Sequence, residues 1–257
     1  MKYTHAIVRP PAATFAEGIT SSGLGPPDLE LALEQHEAYC EVLEHLGLSL
    51  IRLPADPAFP DSTFVEDAAI VTAKGAILTR PGAPSRAGEV VAMGVALETW
   101  FPELGRIEPP GTLDGGDVCE ADHHFFIGLS HRTNEEGARQ LSAWLAAREL
   151  ESSVIDIRGI AGLLHLKTGL SSFGPARLIA WPELVHHEAL RWWGVLRVPR
   201  GEEYAANCLV INDTVLVPAG FPRTAAMLYE PSHDVVAIDI SEYRKMDGGL
   251  SCLSVRW

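Results

Sequence analysis

The C-terminal segment Asp247–Cys252 places a cysteine shortly after a pair of glycines and close to the last residue. Glycine permits close backbone approach and positive φ angles, so a turn here can expose the thiol at the lip of a cleft. Once deprotonated, such a thiol can act as a nucleophile. The alternative is a turn into a last strand, Ser251–Trp257, with Cys252 as a small core residue. This segment by itself favours the alternative, because unpaired cysteines are mostly buried and inert.

Acidic side chains gather in loops that precede apolar strands. The loop Phe59–Asp67 contains Asp61, Glu66 and Asp67, and Asp114 stands before two glycines. A carboxylate at the entry of an apolar strand is partly desolvated and needs a partner, for which a guanidinium is well suited. A solvated surface loop and a plain Asp-Gly turn are the alternatives.

Arginine and histidine side chains add to this chemistry. Arg86 ends a rigid Pro-Gly-Ala-Pro loop, and an arginine fixed in this way suits a carboxylate ligand. An unpaired loop arginine is an equally good interpretation. His165 is a single histidine among leucines, which is more often a core residue than a catalyst. His36 and Cys40 lie one helical turn apart, but two ligands do not complete a zinc site, so we interpret them as core packing.

Composition and motifs narrow the function classes. The chain has 34 acidic and 20 basic residues, which disfavours nucleic acid and anionic membranes as partners and is compatible with a cationic substrate. P-loop, dinucleotide-binding, zinc-peptidase and nucleophile-elbow motifs do not occur. Four cysteines without a C-x-x-C pair, and no signal-peptide or membrane-span pattern, predict a cytoplasmic protein with reduced thiols. The remaining set of residues fits cysteine nucleophilic catalysis on a cation.

The order of elements predicts an α/β protein built from repeated units. One helix is predicted over Asp28–Gly47, a second over about 88–100, and a third from Asn134 with acids in its first turn. Apolar runs predict strands, several of them paired around tight turns such as Asn212–Asp213. The rhythm of hairpin and helix has a period of about 50 residues, which indicates a repeat architecture within a single domain, 1–257.

Seven segments, taken in order, resemble the dimethylarginine dimethylaminohydrolases, and the resemblance extends over essentially the whole chain. The segments are Phe59–Asp67, Arg80–Arg86, Thr112–Asp117, Ser130–Asn134, His165–Lys167, Ala205–Cys208 and Asp247–Cys252. The stretch Gly18–Gly25 is similar to that family's substrate flap. The resemblance implies the pentein fold, a five-bladed α/β propeller of ββαβ units with pseudo-five-fold symmetry. It implies a small cationic amino acid as ligand, no cofactor and no metal, and it is compatible with a homodimer.

Family roles are carried over only to matching positions. Cys252 matches the nucleophile and His165 the proton donor. Asp114 matches the acid that supports the histidine and the guanidinium, a position at which some relatives have glutamate. Seven residues match substrate-binding positions. They are the guanidinium-side acids Asp67 and Glu66, the carboxylate clamp Arg86 and Arg132, and Asp61, Ile19 and Met246 around the α-amino group.

The resemblance implies hydrolysis of Nω-methylated arginine to citrulline and dimethylamine or methylamine through a cysteine thiouronium intermediate. Two alternatives stay open, namely arginine deiminase chemistry on unmethylated arginine and a binding protein without catalysis. The presence of both Cys252 and His165 ranks the binding protein last. We also expect slow reaction of Cys252 in the ligand-free protein, because nearby acids raise the pKa of a thiol.

Overall fold

Fifteen strands form five separate three-stranded sheets in the computed structural model, which describes residues 2–230 and 234–257. The strands are β1 (His5–Val8), β2 (Ser49–Arg52), β3 (Ala69–Thr72), β4 (Gly75–Leu78), β5 (Leu104–Arg106), β6 (Val118–Ala121), β7 (His124–Leu129), β8 (Glu151–Asp156), β9 (Leu170–Gly174), β10 (Arg177–Ala180), β11 (Gly194–Arg197), β12 (Leu209–Ile211), β13 (Thr214–Pro218), β14 (Asp234–Ile238) and β15 (Val255–Arg256). The helices are α1 (Leu29–His45), α2 (Glu89–Glu98), α3 (Glu135–Ala146), α4 (Leu166–Gly169), α5 (Pro222–Leu228) and α6 (Ser241–Arg244).

All five sheets share one topology. The sheets are β15–β1–β2, β3–β4–β5, β6–β7–β8, β9–β10–β11 and β12–β13–β14. In each, the middle strand is antiparallel to the first strand and parallel to the third. The parallel pair needs a crossover, which is helical in every blade: α1, α2, α3 or α5, or the short 3₁₀ helix Glu188–Leu190. The predicted propeller of five ββαβ units is confirmed.

The two ends of the chain close the ring of blades. Strand β15 pairs antiparallel with β1, so that Val255 lies opposite Ile7. Cys252 precedes β15 by only three positions. The pairing of the chain ends therefore fixes the path of the cysteine turn.

Local signals explain why the predicted helices form. The Asp28 side chain accepts hydrogen bonds from the N–H groups of Glu30 (2.9 Å) and Leu31 (3.2 Å) at the start of α1, and Gly47 follows its end at φ +92°. Asn134 caps α3 in the same way. The three helices predicted from the sequence are confirmed. Within the described part of the chain, no helix is both long and apolar enough to cross a membrane.

The first strands of the five blades surround the centre of the ring. Together they line a cavity of about 480 Å³. Its wall has both apolar and charged side chains. Apolar residues of β3 and β6 line it together with Glu120, Lys167 and Arg256. The centre of the propeller is therefore polar, and most apolar packing lies between each sheet and its helix.

A closed series of hydrogen bonds, here called the polar ring, joins the five blades around this cavity. Its five links are Gly116 N to Asp67 Oδ1 (2.8 Å), Leu166 N to Asp117 Oδ1 (3.0 Å), Asn207 Nδ2 to Lys167 O (2.9 Å), Ser251 N to Asn207 Oδ1 (3.1 Å) and Ser251 Oγ to Glu66 Oε2 (2.8 Å). The positions recur with roughly the predicted 50-residue period. Each blade thus contributes a link to the polar ring at an equivalent position. The motifs noted in the sequence contain the residues that form these links.

The predicted last strand, Ser251–Trp257, is wrong over its first half. Ser251–Leu253 forms a 3₁₀ turn in which Cys252 N donates to Gly249 O (3.2 Å), and only Val255–Arg256 is strand. The Arg256 guanidinium donates to the carbonyls of Ser251 (3.1 Å) and Ser254 (2.6 Å). These bonds satisfy carbonyls that a strand ladder would otherwise have to satisfy.

Three strands were not predicted from the sequence. They are β5, β9 and β11, which are short and contain glycine or adjacent serines. Strands β5 and β11 are also the outer edges of their sheets, where an apolar pattern is not required. Hydrogen-bonded pairing with β4 or β10, and not local sequence preference, makes them strands.

Gly115→Ala should destabilise the protein, because an added Cβ would lie 2.0 Å from the Glu66 carbonyl oxygen where two blades meet. Overpacking of this kind costs about 1–3 kcal/mol of unfolding free energy, measurable by urea denaturation. Gly159→Ala is the matched control, since its Cβ would have no heavy atom within 4 Å. Equal denaturation midpoints for the two variants would contradict the close contact.

Candidate active site

His165 directly precedes Leu166 of the polar ring, at the start of α4, and is buried. Its Nε2 is 3.1 Å from Asp114 Oδ2, while the other oxygen of Asp114 accepts the Gly82 N–H at 2.7 Å. Gly116 faces the ring of His165, since a Cβ at Gly116 would lie 2.8 Å from Nδ1. The Asp-Gly-Gly-Asp motif is therefore more than a turn, because its glycines let an acid and a histidine pack together.

Opposing effects set the charge of His165. Burial lowers its pKa, but the carboxylates of Asp67, Asp117 and Asp114 raise it by more, to about 9. A histidine with that pKa is an imidazolium at neutral pH. His165 can therefore donate a proton to a leaving group.

Asp67 is a buried acid held between a backbone and a guanidinium. It accepts the Gly116 N–H at 2.8 Å and pairs with Arg86 NH1 at 2.5 Å. Burial raises the pKa of Asp67, but the positive charges of Arg86 and His165 outweigh burial and hold that pKa below its usual range. Asp67 therefore carries a full negative charge inside the site.

Arg86 has a second acidic partner that the sequence reasoning missed. Its Nε and NH2 donate to Glu89 at 3.0 and 2.8 Å, at the start of α2. Burial raises the pKa of Glu89 to about 7. The spacing Arg86-x-x-Glu89 at a helix start was the available signal. Arg86 therefore lies between two acids, and its predicted role as a clamp for a substrate carboxylate stays a prediction.

Cys252 is partly exposed on its 3₁₀ turn. Burial raises the pKa of the thiol to about 12, and the negative charges of Glu66 and Asp67 add to the effect. Asp67 thus acts on both Cys252 and His165. In the ligand-free protein the thiol is protonated, and a cation placed against these acids would favour the thiolate.

Glu66 directly precedes Asp67 and accepts hydrogen bonds from three side chains. Its carboxylate accepts from Lys167 Nζ at 2.6 Å, Ser251 Oγ at 2.8 Å and Arg256 NH2 at 3.2 Å. The sequence motif His165–Lys167 assigned no function to Lys167. The structure shows that it neutralises part of the negative charge beneath the cysteine turn.

The glycine pair before Cys252 is needed for close packing. A Cβ at Gly248 would lie 2.2 Å from Phe64 Cε1, and one at Gly249 would lie 2.5 Å from Asn207 Oδ1. The positive φ that the turn requires falls instead on Asp247, at +59°. The expected turn is present but buried, with only Asp247 and Cys252 partly exposed, and close approach, not backbone conformation, explains the glycines.

Arg132 stands on the loop that follows β7. Its NH1 is buried and has no hydrogen-bond partner among the residues that the structure describes. Gly82 packs on its backbone, since a Cβ there would lie 2.2 Å from Arg132 O. A buried guanidinium N–H without an acceptor is rare in proteins, and among the described residues the Nε atoms of Arg9 and Arg256 also have none.

The residues expected around an α-amino group lie together under the predicted flap. Ile19 N donates to both oxygens of Asp61, at 3.0 and 3.2 Å, and a Cβ on Gly18 would lie 3.1 Å from Met246 Cε. Burial raises the pKa of Asp61. The flap is held further along by Asp247, which accepts from Ser21 N at 2.5 Å and Ser21 Oγ at 3.0 Å. The structure therefore shows this flap closed.

A cavity of about 500 Å³ opens beside the flap. Flap residues line one side, and Ser130, Thr168, Tyr204 and Asp247 line the others. Ser130 and His131, next to Arg132, and Thr168, three residues after His165, line this cavity, whereas Arg132 and His165 themselves are not among its lining residues. Its size suits a free amino acid and not a macromolecule.

Two groups of side chains have donor atoms close enough for a metal. The ligand atoms of Asp67, Asp114 and His165 lie within 4.8 Å of one another, as do those of His36, Glu37 and Cys40. The first group already receives hydrogen bonds from Gly82, Gly116 and Arg86, which explains its clustering without a metal. In the second group, burial lowers the pKa of His36 to about 4, and its ring packs 3.6 Å from the Cys40 sulfur.

Comparison with known proteins agrees with this architecture. The arginine deiminase family model matches residues 55–200. The N(G),N(G)-dimethylarginine dimethylaminohydrolase of Pseudomonas aeruginosa is 43% identical over 256 residues, covering 99% of this chain and 100% of the relative. Its counterpart in Streptomyces coelicolor is 36% identical, covering 98% and 96%. A solved structure of the Pseudomonas aeruginosa protein, a cysteine-to-serine mutant complexed with citrulline, superposes with a TM-score of 0.96 at 43% identity over 100% of both chains.

Five blades of one topology, with buried acids and with a cysteine and a histidine next to residues of the polar ring, define the protein as a pentein. The chain belongs to the arginine deiminase family and, within it, to the dimethylarginine dimethylaminohydrolases.

Cys252 should react slowly with iodoacetamide at neutral pH in the ligand-free protein, because its thiol pKa is raised to about 12. The alkylation rate should rise about tenfold per pH unit from pH 7 to 10, as the thiolate fraction does. Mass spectrometry of the Cys252 peptide measures the rate, with Cys252→Ser giving the background of the three buried cysteines. Fast alkylation at pH 6 would contradict the raised pKa.

Asp247→Asn should loosen the flap, because it replaces the charged acceptor of Ser21 while asparagine still tolerates the positive φ of position 247. We expect faster hydrogen–deuterium exchange over residues 18–25. Asp122→Asn is the matched control, since Asp122 also has a positive φ (54°) and also accepts a backbone N–H, from Ala176. Unchanged exchange over 18–25 in Asp247→Asn would show that Asp247 does not hold the flap.

Proposed function

We propose that this protein hydrolyses Nω-methylated arginine to citrulline and dimethylamine or methylamine through a covalent intermediate on Cys252. The observation that carries the proposal is the charge pattern of the site. A neutral thiol, an imidazolium and the ionised Asp67 share one buried region. That pattern suits a planar cation as substrate, because the cation supplies the positive charge that the thiolate needs.

The chemistry proceeds in two stages. As the cation binds, the Cys252 thiol loses its proton to solvent and its sulfur attacks the guanidinium carbon. The C–N bond to the methylated nitrogen then breaks, and His165 gives its proton to the departing amine. In the second stage the neutral His165 takes a proton from water, the C–O bond forms, and the C–S bond breaks to release citrulline.

The remaining groups give the substrate its orientation. Asp114 holds the His165 ring through Nε2, and Asp67 faces the guanidinium side. The unpartnered NH1 of Arg132 supports its proposed role as a donor to the substrate α-carboxylate, and Arg86 is the second arginine proposed for this clamp. Asp61, with Ile19 and Met246 close by, suits the α-amino group. The closed flap would then cover the amino acid end of the substrate.

Arginine deiminase chemistry is the second candidate, because the arginine deiminase family model itself matches the chain. The two reactions use the same groups and differ in the leaving amine. A binding protein without catalysis would need neither the thiol nor the imidazolium, and both are present.

We also propose that the protein is cytoplasmic. All four cysteines are free, and three of them are buried, which suits a reducing compartment. A homodimer is the assembly that we propose for it.

A citrulline assay with asymmetric dimethylarginine, monomethylarginine and arginine in parallel tests the proposal. Citrulline should form from the methylated substrates at a kcat/KM well above that for arginine. Cys252→Ser should abolish turnover and retain ligand binding by calorimetry, and His165→Gly should lose turnover with an intact thiol. Citrulline from arginine alone would establish the deiminase, and binding without product would establish the binding protein.

A further inference from the structure

Asp117 is a buried acid to which no role in the site has been given. It has no solvent exposure and lies at the end of the turn Gly115–Asp117. Its Oδ2 accepts from Ser130 Oγ at 2.6 Å and Thr133 Oγ1 at 2.7 Å, and its Oδ1 accepts from Leu166 N at 3.0 Å. One carboxylate therefore joins its own turn to two other segments of the chain.

The hydrogen bonds of Ser130 and Thr133 show that Asp117 is an acceptor. Ser130 Oγ accepts the N–H groups of Arg132 (2.9 Å) and Thr133 (3.1 Å), which occupies both of its lone pairs. Thr133 Oγ1 accepts the Asp114 N–H at 3.1 Å. The Ser130 hydroxyl hydrogen must then point at Asp117, which accepts on both oxygens, from Ser130 and from Leu166. Burial raises the pKa of Asp117, while His165 and the hydroxyl donors Ser130 and Thr133 lower it, and the balance is a pKa of about 6, so Asp117 is mostly ionised at neutral pH.

Both segments that Asp117 holds carry a residue of the proposed mechanism. Ser130 and Thr133 bracket Arg132, whose unpartnered NH1 is offered to the substrate carboxylate. Leu166 is the residue directly after His165, and its N–H is fixed by Asp117. The distance between these two segments therefore depends on one side chain.

We propose that Asp117 is a positioning residue that sets the Arg132 loop and the His165 turn relative to each other and adds negative charge behind His165. The inference deepens the proposed function and rests on it. Asp117 touches neither the substrate nor the reacting atoms, and it acts through Arg132 and His165.

Asp117→Asn tests the proposal, because an amide cannot accept on both sides. The ionisable groups around His165 are Asp67, Asp114 and Asp117, with Arg86 behind Asp67, and this variant changes only one of them. The titration midpoint of His165, followed by NMR of the ¹³C-labelled ring, should fall by about one pH unit. For the methylated substrate, KM should rise and kcat should fall, with kcat/KM reduced about 100-fold.

Ser130→Ala separates the two effects. It removes one donor and loosens the Arg132 loop but leaves the charge of Asp117 and its bond to Leu166 in place. KM should rise while the His165 midpoint stays within about 0.2 pH units of the unmodified protein, since the negative charges around the ring are kept. This variant also keeps the proposal open to test if Asp117→Asn does not fold.

Glu202→Gln is the matched structural control. Glu202 is also buried and accepts from Thr224 N and Thr224 Oγ1, both at 2.7 Å, at the start of α5. It should lower the unfolding midpoint without moving the His165 titration or KM. The proposal is overturned if Asp117→Asn behaves like Glu202→Gln. The NMR titration needs no turnover, so absence of citrulline would count against the proposed function alone.

Discussion

The hydrogen bond from Ser251 to Glu66 closes the polar ring, and the path of the cysteine turn depends on it. The Ser251 N–H bond to Asn207, the Tyr39 hydroxyl bond to the Leu250 carbonyl and the pairing of β15 with β1 also hold this last segment of the chain. The polar ring joins five blades of one topology. A polar cavity lies at the centre of the propeller, between the blades. Hydrogen bonds with defined partners are directional, so they fix the turn more closely than apolar packing would. The site is built at the place where the blades are tied together.

Charge is the second constraint on this site. Three buried carboxylates surround His165 and keep it protonated, and the same negative field keeps the Cys252 thiol neutral. The thiol is thus in the state opposite to that in a preformed thiolate–imidazolium pair, in which the thiol pKa is lowered, whereas the histidine is protonated in both. Such a site is unreactive until a cation arrives, which protects the thiol and restricts the reaction to charged, planar ligands. Arg86 is held by Asp67 and Glu89 and places a positive charge between these two acids.

Residues at equivalent positions of the polar ring have different functions. Asp67 supplies charge to the reacting groups, whereas Asp117, at the corresponding place in the next blade, receives hydroxyl groups and positions loops. In the fifth blade the place is taken by the neutral Asn207, which both donates and accepts. An amide suits that place because its two neighbours are a carbonyl and an N–H. Repetition of the fold thus fixes where a polar residue is needed, and the neighbours fix which one.

The sequence by itself determined the helices, the hairpins and the repeat, because capping residues, turns and apolar periodicity are local. Its motifs also pointed to Cys252, His165 and the acids as a set. Only the tertiary structure decided the rest: that Ser251–Leu253 turns before the last strand, that Glu89 shares Arg86, and that Lys167 lies beneath the cysteine turn. These contacts join residues of different blades or depend on burial, and burial is a property of the closed ring. The charge states of His165 and Cys252 follow from that burial, so no local pattern of residues contains them.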